Sequence, residues 1–233
     1  MNIRPENPNV KQLRAAAASL EPLLDKIAFV GGCVTGLLVT DPAAAPVRAT
    51  LDVDVIVEAA SYIEFTALEQ RLRQLGFRES RMEGAPVCRW VNGDLLLDFM
   101  PIDPSILGFS NPWYGPALVH AQTTLIGARE VRVITAPYFL ATKLEAFHGR
   151  GKNDFSSHDL EDIITVVDGR PELVDEVHLA PADLQKYLSD QFRNLLGSRD
   201  FLEALPGHLL PDVASQQRLG LVLKRMQQLV LEG

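Results

Sequence analysis

Two aspartates at alternate positions carry the clearest chemical signal in the chain. Asp52 and Asp54 lie in the segment Leu51 to Val57, where apolar and acidic residues alternate with a period of two. A strand with this pattern places both carboxylates on one face and the apolar side chains on the other. Neighbouring carboxylates repel each other, and a divalent cation with oxygen ligands relieves that repulsion. The segment therefore predicts either a metal site or an exposed strand edge.

A pair of glycines precedes these aspartates. The short apolar run Ile27 to Val30 is followed at once by Gly31 and Gly32, and Val34 to Val39 is suited to a buried helix. A strand that ends in two glycines before a helix exposes backbone N–H groups at a positive dipole end, which suits a phosphate. An ordinary turn is the alternative. The turn and the paired carboxylates, in this order, favour phosphate chemistry more than either does alone.

A third carboxylate lies in a predicted hairpin. Val87 to Val91 and Asp94 to Met100 are typical of two strands, and Asn92-Gly93 is typical of the two-residue turn between them. Asp98 stands mid-strand among apolar residues, where a lone carboxylate is costly. It needs a partner, which is either a metal shared with the earlier aspartates or an arginine. Three such carboxylates beside a glycine turn suit phosphoryl or nucleotidyl transfer.

Composition sets the frame for these residues. The chain has 233 residues, of which 47% are apolar and 22% charged, enough to bury the core of one large domain or two small ones. No apolar run is long enough to cross a membrane, and Met1 to Glu6 lack the form of a secretion signal. We therefore expect a cytoplasmic protein with no membrane partner. Cys33 and Cys88 are far apart, which indicates reduced core thiols.

A formal net charge of −8 argues against a broadly basic surface for nucleic acid. The basic residues nevertheless cluster in two stretches, which indicates either a local basic groove or the solvated faces of helices. The clusters are Arg71, Arg73, Arg78, Arg81 and Arg89, and then Arg129, Arg132, Lys143, Arg150 and Lys152.

The remaining patterns predict the elements that position these residues. Helical spacing indicates a helix within 9–25 capped by Asn9, and another from Ser61 to Gly76; residues 101–117 are typical of a loop, and 118–126 and 130–134 of strands. From Thr135 the chain has helical patterns only. The prediction is an α+β protein, with a small mixed sheet and flanking helices over 1–135 and a helical domain over 136–233.

These residues together resemble the polymerase-β-like nucleotidyltransferase superfamily. The resemblance rests on Gly31-Gly32, then Arg48-x-Thr50 directly before Asp52-x-Asp54, then Asp98. The Arg-x-Thr spacing is similar to that of the AbiEii/AbiGii-type abortive-infection toxins. A later block resembles that family's Lys, Arg and Asp-Leu-x-Asp-Leu pattern; it consists of Lys143, Arg150, Asp159 and Asp162. The resemblance spans residues 29–163.

The resemblance implies a Mg²⁺-dependent enzyme that transfers NMP from an NTP to an acceptor hydroxyl. Asp52, Asp54 and Asp98 would bind two Mg²⁺ ions, Lys143 would contact the triphosphate, and Asp159 or Asp162 would position Lys143 or the acceptor. The other expected nucleotide-binding residues are Gly31, Gly32, Arg48, Thr50 and Arg150. The acceptor would be tRNA or a small molecule, and the protein would be the toxin of a toxin–antitoxin pair with an antitoxin as its protein partner.

Two features leave other interpretations open. Cys33-Val34-Thr35 follows the glycines where the family commonly has a small hydroxyl residue or alanine, which weakens any assignment of the nucleotide. An apolar stripe near the C-terminus could pack on another chain, in a catalytically silent protein that acts through partner binding. The stripe consists of Leu219, Val222, Met226 and Val230. Intramolecular core is the more frequent use of such a stripe.

Overall fold

The computed structural model describes residues 7–59 and 61–231. They form two compact units, which we call the strand unit, residues 7–36 and 48–135, and the helical unit, residues 37–47 and 136–231. The sequence division placed residues 37–47 with the first domain, whereas here they belong to the helical unit. The first six residues, examined above for a secretion signal, lie outside the described residues. None of the described helices has the length and apolar character needed to cross a bilayer.

One mixed sheet is the frame of the strand unit. Its strands are β1 Ile27–Val30, β2 Asp52–Val57, β3 Arg78–Glu79, β4 Arg89–Asn92, β5 Leu95–Pro101, β6 Gln122–Ile126 and β7 Arg129–Val133. The spatial order of these seven described strands is β3-β4-β5-β2-β1-β7-β6. β2 runs parallel to β5, and β1 runs parallel to β7, while the other neighbours are antiparallel. The predicted mixed sheet is confirmed.

Helices flank this sheet. They are α1 Pro8–Ser19, α3 Tyr62–Gln74, α4 Pro104–Leu107 and α5 Tyr114–Val119, and a short 3₁₀ turn, Gly32–Val34, leads into α2 Thr35–Leu38. Three expectations were wrong. The cap of α1 is Asn7, whose side chain accepts a hydrogen bond from the N–H of Asn9 at 2.9 Å. The predicted loop 101–117 contains α4, because Asp103 caps its first turn and Pro104 suits the first helical position. The end of that loop and the start of the predicted strand 118–126 form α5, and the strand begins only at Gln122.

The alternation of β2 separates an apolar face from an acidic one. Val53 and Val55 are fully buried, whereas Asp52 and Asp54 are half-buried. On neighbouring β5, Phe99 is also fully buried and stacks on Phe65 of α3, with ring centroids 5.9 Å apart. The core therefore fixes which face of each strand carries its carboxylates.

The helical unit contains the rest of the chain. Its helices are α6 Ala136–His148, α7 His158–Gly169, α8 Leu173–His178, α9 Ala182–Gly197, α10 Arg199–Ala204, α11 Val213–Gln217 and α12 Leu219–Gln228. α6 packs against α7, α8 and α9, and α12 packs against α7 and α9. Val222 and Met226 of α12 are fully buried within the described chain. The C-terminal apolar stripe is therefore core at these positions, not a surface for a partner.

Residues 37–47 join this unit through the end of α7. The N–H groups of Thr40 and Asp41 donate to the carbonyl of Gly169 at 2.8 and 2.9 Å. Arg218 then bridges the carboxylates of Asp41 and Asp168, with both distances at 2.7 Å. The backbone bonds satisfy the carbonyl of Gly169, and Arg218 also donates to the carbonyl of Asp168, so the last carbonyl groups of α7 have partners.

Candidate active site

A row of residues crosses four neighbouring strands of the sheet. Val30 of β1 pairs with Asp54 of β2, Asp54 pairs with Asp98 of β5, and Asp98 pairs with Arg89 of β4. Asp52 lies two residues before Asp54 and therefore on the same face. The sheet thus brings the three predicted aspartates to one region, together with an arginine that the sequence did not single out.

The glycine turn lies directly against this row. Gly31 follows β1 with φ +70° and ψ −166°, a conformation that residues with a side chain rarely adopt. A Cβ atom at this position would lie 1.9 Å from Oδ2 of Asp54. Glycine is required here for two independent reasons, backbone conformation and the space that Asp54 occupies. The turn and the paired carboxylates, which are separate signals in the sequence, are adjacent in space.

Arg89 holds two of the three carboxylates. Its Nε donates to Oδ1 of Asp98 at 2.7 Å and its Nη2 donates to Oδ2 of Asp98 at 2.7 Å. The same Nη2 also donates to Oδ2 of Asp52. The partner that a mid-strand Asp98 needs is therefore an arginine in this structure, which is one of the two alternatives left open by the sequence.

The electrostatics of the site reflect this ion pair. The hydrogen bond to Asp98 raises the pKa of Arg89 despite its partial burial, so the guanidinium stays protonated. Burial, followed by the charge of Asp98, raises the pKa of the neighbouring Cys88 thiol to about 12. Cys88 is therefore a neutral core thiol at physiological pH and not a nucleophile.

A metal ion needs several ligands at one point, and this arrangement offers them only in part. Carboxylate oxygens are the ligands that Mg²⁺ prefers, and oxygens of Asp52 and Asp98 converge on one nitrogen of Arg89. In residues 7–59 and 61–231, however, no three His, Cys, Asp or Glu side chains form a group that could hold a metal ion. The donor set suits the metal, but a guanidinium stands where two of its carboxylates meet. Metal binding stays a prediction.

Arg48 and Thr50 lie in the segment that enters β2, and Asn9 of α1 fixes them there. The Asn9 side chain donates to the carbonyl of Arg48 at 3.1 Å and accepts from the N–H of Thr50 at 2.9 Å. It also lies 3.5 Å from the carbonyl of Gly32. Asn9 and Thr50 are both buried. One side chain thus joins α1, the glycine turn and the Arg-x-Thr segment.

The later predicted residues form a separate cluster inside the helical unit. Nζ of Lys143 on α6 lies 2.9 Å from Oδ1 of Asp159 and 2.7 Å from Oδ2 of Asp162 on α7. Arg150 donates to both carboxylate oxygens of Asp159, at 2.9 and 3.0 Å. Burial lowers the pKa of Lys143, but the two carboxylates outweigh it and the net shift is upward. Both aspartates therefore hold a charged Lys143, while its role toward a triphosphate stays a prediction.

Part of the first basic cluster lines a surface cavity. Arg73, Arg78 and Arg81 border a space of about 920 Å³ near β3. Arg73 already pairs with Glu79 and stacks over the Trp90 ring, 5.0 Å from its centroid. One of the three arginines is therefore committed to contacts within the chain.

Sequence reasoning named Arg89 only as part of a basic cluster and missed its pairing with Asp98, and the hairpin explains why. The turn was predicted at Asn92-Gly93, a register that would pair Asp98 with Val87. The observed turn is Gly93-Asp94, so Asn92 pairs with Leu95 and Arg89 pairs with Asp98. A shift of one residue in the turn therefore decides the partner of the carboxylate. Asn9 was predicted only as a helix cap, so its long-range bonds to Arg48 and Thr50 were missed.

Comparison with known proteins bears on the fold. No protein-family model matches the sequence, and no curated protein matches it. A solved structure does match: an antigenic nucleotidyltransferase-like protein from Paracoccidioides brasiliensis, with 21% identity and a TM-score of 0.51. The match covers 86% of this chain and 93% of that one. The chain has a nucleotidyltransferase-like fold. At this identity the likeness concerns the fold alone, and the toxin family named above stays a prediction.

Proposed function

We propose that this protein is a Mg²⁺-dependent nucleotidyltransferase. The observation that carries the proposal is the placement of Asp52, Asp54 and Asp98 on adjacent strands of a nucleotidyltransferase-like fold, with Asp54 against Gly31. An acidic face beside a glycine turn suits a site that handles both a metal ion and phosphate groups.

The reaction would transfer NMP to a hydroxyl. The acceptor oxygen forms a bond to the α-phosphorus, the bond between the α- and β-phosphates breaks, and pyrophosphate leaves with the electron pair. Bound Mg²⁺ would neutralise the charge of the phosphates. Asp52, Asp54 and Asp98 would be its ligands, and Asp98 would help to draw the proton from the hydroxyl. The turn at Gly31 and Gly32 would supply backbone N–H groups to the triphosphate.

The test replaces one carboxylate and follows NMP transfer. Asp54→Asn should lower transfer and pyrophosphate release by about a hundredfold or more, since it removes a ligand without changing size. The assay incubates the protein with each labelled NTP, Mg²⁺ and total RNA. Asp94→Asn is the matched control, because Asp94 is exposed at the hairpin turn and should leave activity unchanged. Equal activity in the Asp54 variant and the wild type would refute the proposal.

The acceptor and the biological role are finer proposals that rest on the family resemblance. We propose tRNA as the acceptor, with a small hydroxyl compound as the alternative. Label recovered on tRNA supports the first and label on an added small molecule supports the second. A toxin role further predicts that expression arrests growth and that Asp54→Asn relieves the arrest.

One observation favours a second candidate function, a catalytically silent protein that acts through a partner. Arg89 neutralises Asp52 and Asp98, as expected of a site that has exchanged metal binding for an internal ion pair. Absence of any Mg²⁺ or NTP binding in calorimetry would favour this candidate over catalysis. The buried part of the C-terminal stripe no longer supports it.

A further inference from the structure

Arg89 is placed where two ligands of a cation would meet. Its Nη2 lies within hydrogen-bond distance of Oδ2 of Asp98, at 2.7 Å, and of Oδ2 of Asp52. An atom bound by oxygens from two carboxylates on adjacent strands occupies the position that a bridging cation would take. The structure therefore shows an internal cation at the point where the proposed function requires an external one.

The same position cannot hold both charges. Asp52, Asp54 and Asp98 lie on one face of two neighbouring strands, so they need positive charge nearby. A guanidinium supplies a single charge with donors in a fixed fork, and it uses the same oxygens that a metal ion would use. Binding of one therefore excludes the other at those oxygens.

The ion pair is also accessible. The side chains of Arg89 and Asp52 are 19% and 31% exposed, whereas that of Asp98 is 10% exposed. Solvent therefore reaches the outer end of the pair, which is the side from which a cation would enter. The long stem of arginine lets its head group move while the backbone of β4 stays paired.

We propose that Arg89 occupies the divalent-cation position in the resting protein and must withdraw before Mg²⁺ binds. This proposal rests on the proposed function, since it concerns the metal that nucleotidyl transfer at this site requires. The apparent affinity for Mg²⁺ then equals the intrinsic affinity multiplied by the fraction of molecules in which Arg89 has withdrawn.

The test measures metal binding without substrate. Mn²⁺, which serves as the probe, is titrated by calorimetry into the wild type and into Arg89→Met, which keeps the length of the stem but removes the charge. We expect Arg89→Met to bind Mn²⁺ roughly tenfold more tightly or better, because its carboxylates are no longer neutralised. Its melting temperature should rise more on addition of Mn²⁺ than that of the wild type.

Two further variants locate the effect. Arg78→Met removes a positive charge from the exposed strand β3 and controls for the change in net charge; it should bind Mn²⁺ as the wild type does. Adding Asp54→Asn to Arg89→Met should abolish the gain, which places the ion among the aspartates. A gain of the same size in Arg78→Met would overturn the proposal.

The outcomes separate this proposal from the proposed function. Equal Mn²⁺ affinity in the wild type and Arg89→Met would overturn the role of Arg89 but would not contradict the proposed nucleotidyltransferase function. No binding by either would overturn both. If Arg89→Met does not fold, the wild type supplies the test: the Nε–H resonance of Arg89 in a ¹H–¹⁵N spectrum should be protected without metal and exchange rapidly with Mg²⁺ and NTP. An unchanged resonance at saturation would overturn the proposal.

Discussion

At the scale of single residues, Gly31 decides how closely the glycine turn and the acidic strand approach each other. Its backbone has a positive φ, and the space where a side chain would stand is filled by the carboxylate of Asp54. A change at this glycine should therefore act on Asp54 as well as on the turn.

Gly31→Ala tests this coupling. The variant should lose about 2–4 kcal/mol of unfolding free energy, from strain at positive φ and from displacement of Asp54, and should lose NMP transfer. Urea unfolding monitored by circular dichroism gives the first quantity. Gly93→Ala is the control, since Gly93 has φ +58° but nothing within 4 Å of an added Cβ. It should lose only about 1 kcal/mol. Equal losses in the two variants would contradict the role assigned to Asp54.

At the scale of elements, the site depends on how α1 is tied to the entrance of β2. The tie is Asn9, which bonds the backbone of both Arg48 and Thr50. Residues 48–50 do not pair with any strand of the described chain. The side chain of Asn9 therefore supplies backbone hydrogen bonds to this segment that a neighbouring strand would otherwise supply.

Asn9→Ala should therefore be costly for a single polar residue. It leaves the buried N–H of Thr50 and the carbonyl of Arg48 without this partner, which costs about 2–4 kcal/mol of unfolding free energy. Asn92→Ala is a fitting comparison, because Asn92 makes one side-chain bond, to the carbonyl of Leu75 at 3.2 Å, and should lose about 1 kcal/mol. Chemical denaturation of both variants checks the difference. If Asn9→Ala loses no more unfolding free energy than Asn92→Ala, the role assigned to Asn9 in holding residues 48–50 is wrong.

The elements also show what a sequence can and cannot predict. β2 and α3 were predictable because alternation and a Ser61 cap are local signals. The partner of Asp98 was not, because hairpin register depends on which of two adjacent residue pairs forms the turn, and glycine at 93 fits both. The parallel pairing of β2 with β5 follows from crossover packing, which no local pattern encodes. The three aspartates were thus predictable as residues, while the arginine between them was not.

At the scale of the whole molecule, stability against acid should depend on the buried cluster of the helical unit. Burial raises the pKa of Asp159, but hydrogen bonds from Arg150 and the charge of Lys143 lower it to about 2, compared with 3.8 in the unfolded chain. A carboxylate with a lowered folded pKa stabilises the fold above its unfolded value and loses that contribution as the pH falls through its folded value. The window is therefore pH 4 to 2.

Asp159→Asn should remove this contribution. At pH 7 the variant should be less stable than the wild type by roughly 2 kcal/mol. Between pH 4 and 2 the wild type should lose stability more steeply, so the two curves converge. Urea unfolding at a series of pH values measures both. Asp175→Asn, which alters an exposed carboxylate of α8 without a described ion pair, should follow the wild-type curve. Parallel curves for the wild type and Asp159→Asn would refute the assignment.

The course of residues 37–47 has a consequence for dividing this protein. The chain leaves the strand unit after residue 36, contributes Val39 and Ala44 to the core of the helical unit, and returns at residue 48. A Cβ atom built at Gly169 would contact both of those side chains, so residues 37–47 pack against the end of α7. A gene truncated after Thr135 would encode residues 37–47 without the helices on which they pack, and the apolar side chains of Val39 and Ala44 would be exposed to water. Division of the chain at a single peptide bond therefore cannot separate the two units. A protein expressed as two fragments would need residues 37–47 to be part of the fragment that contains the helical unit.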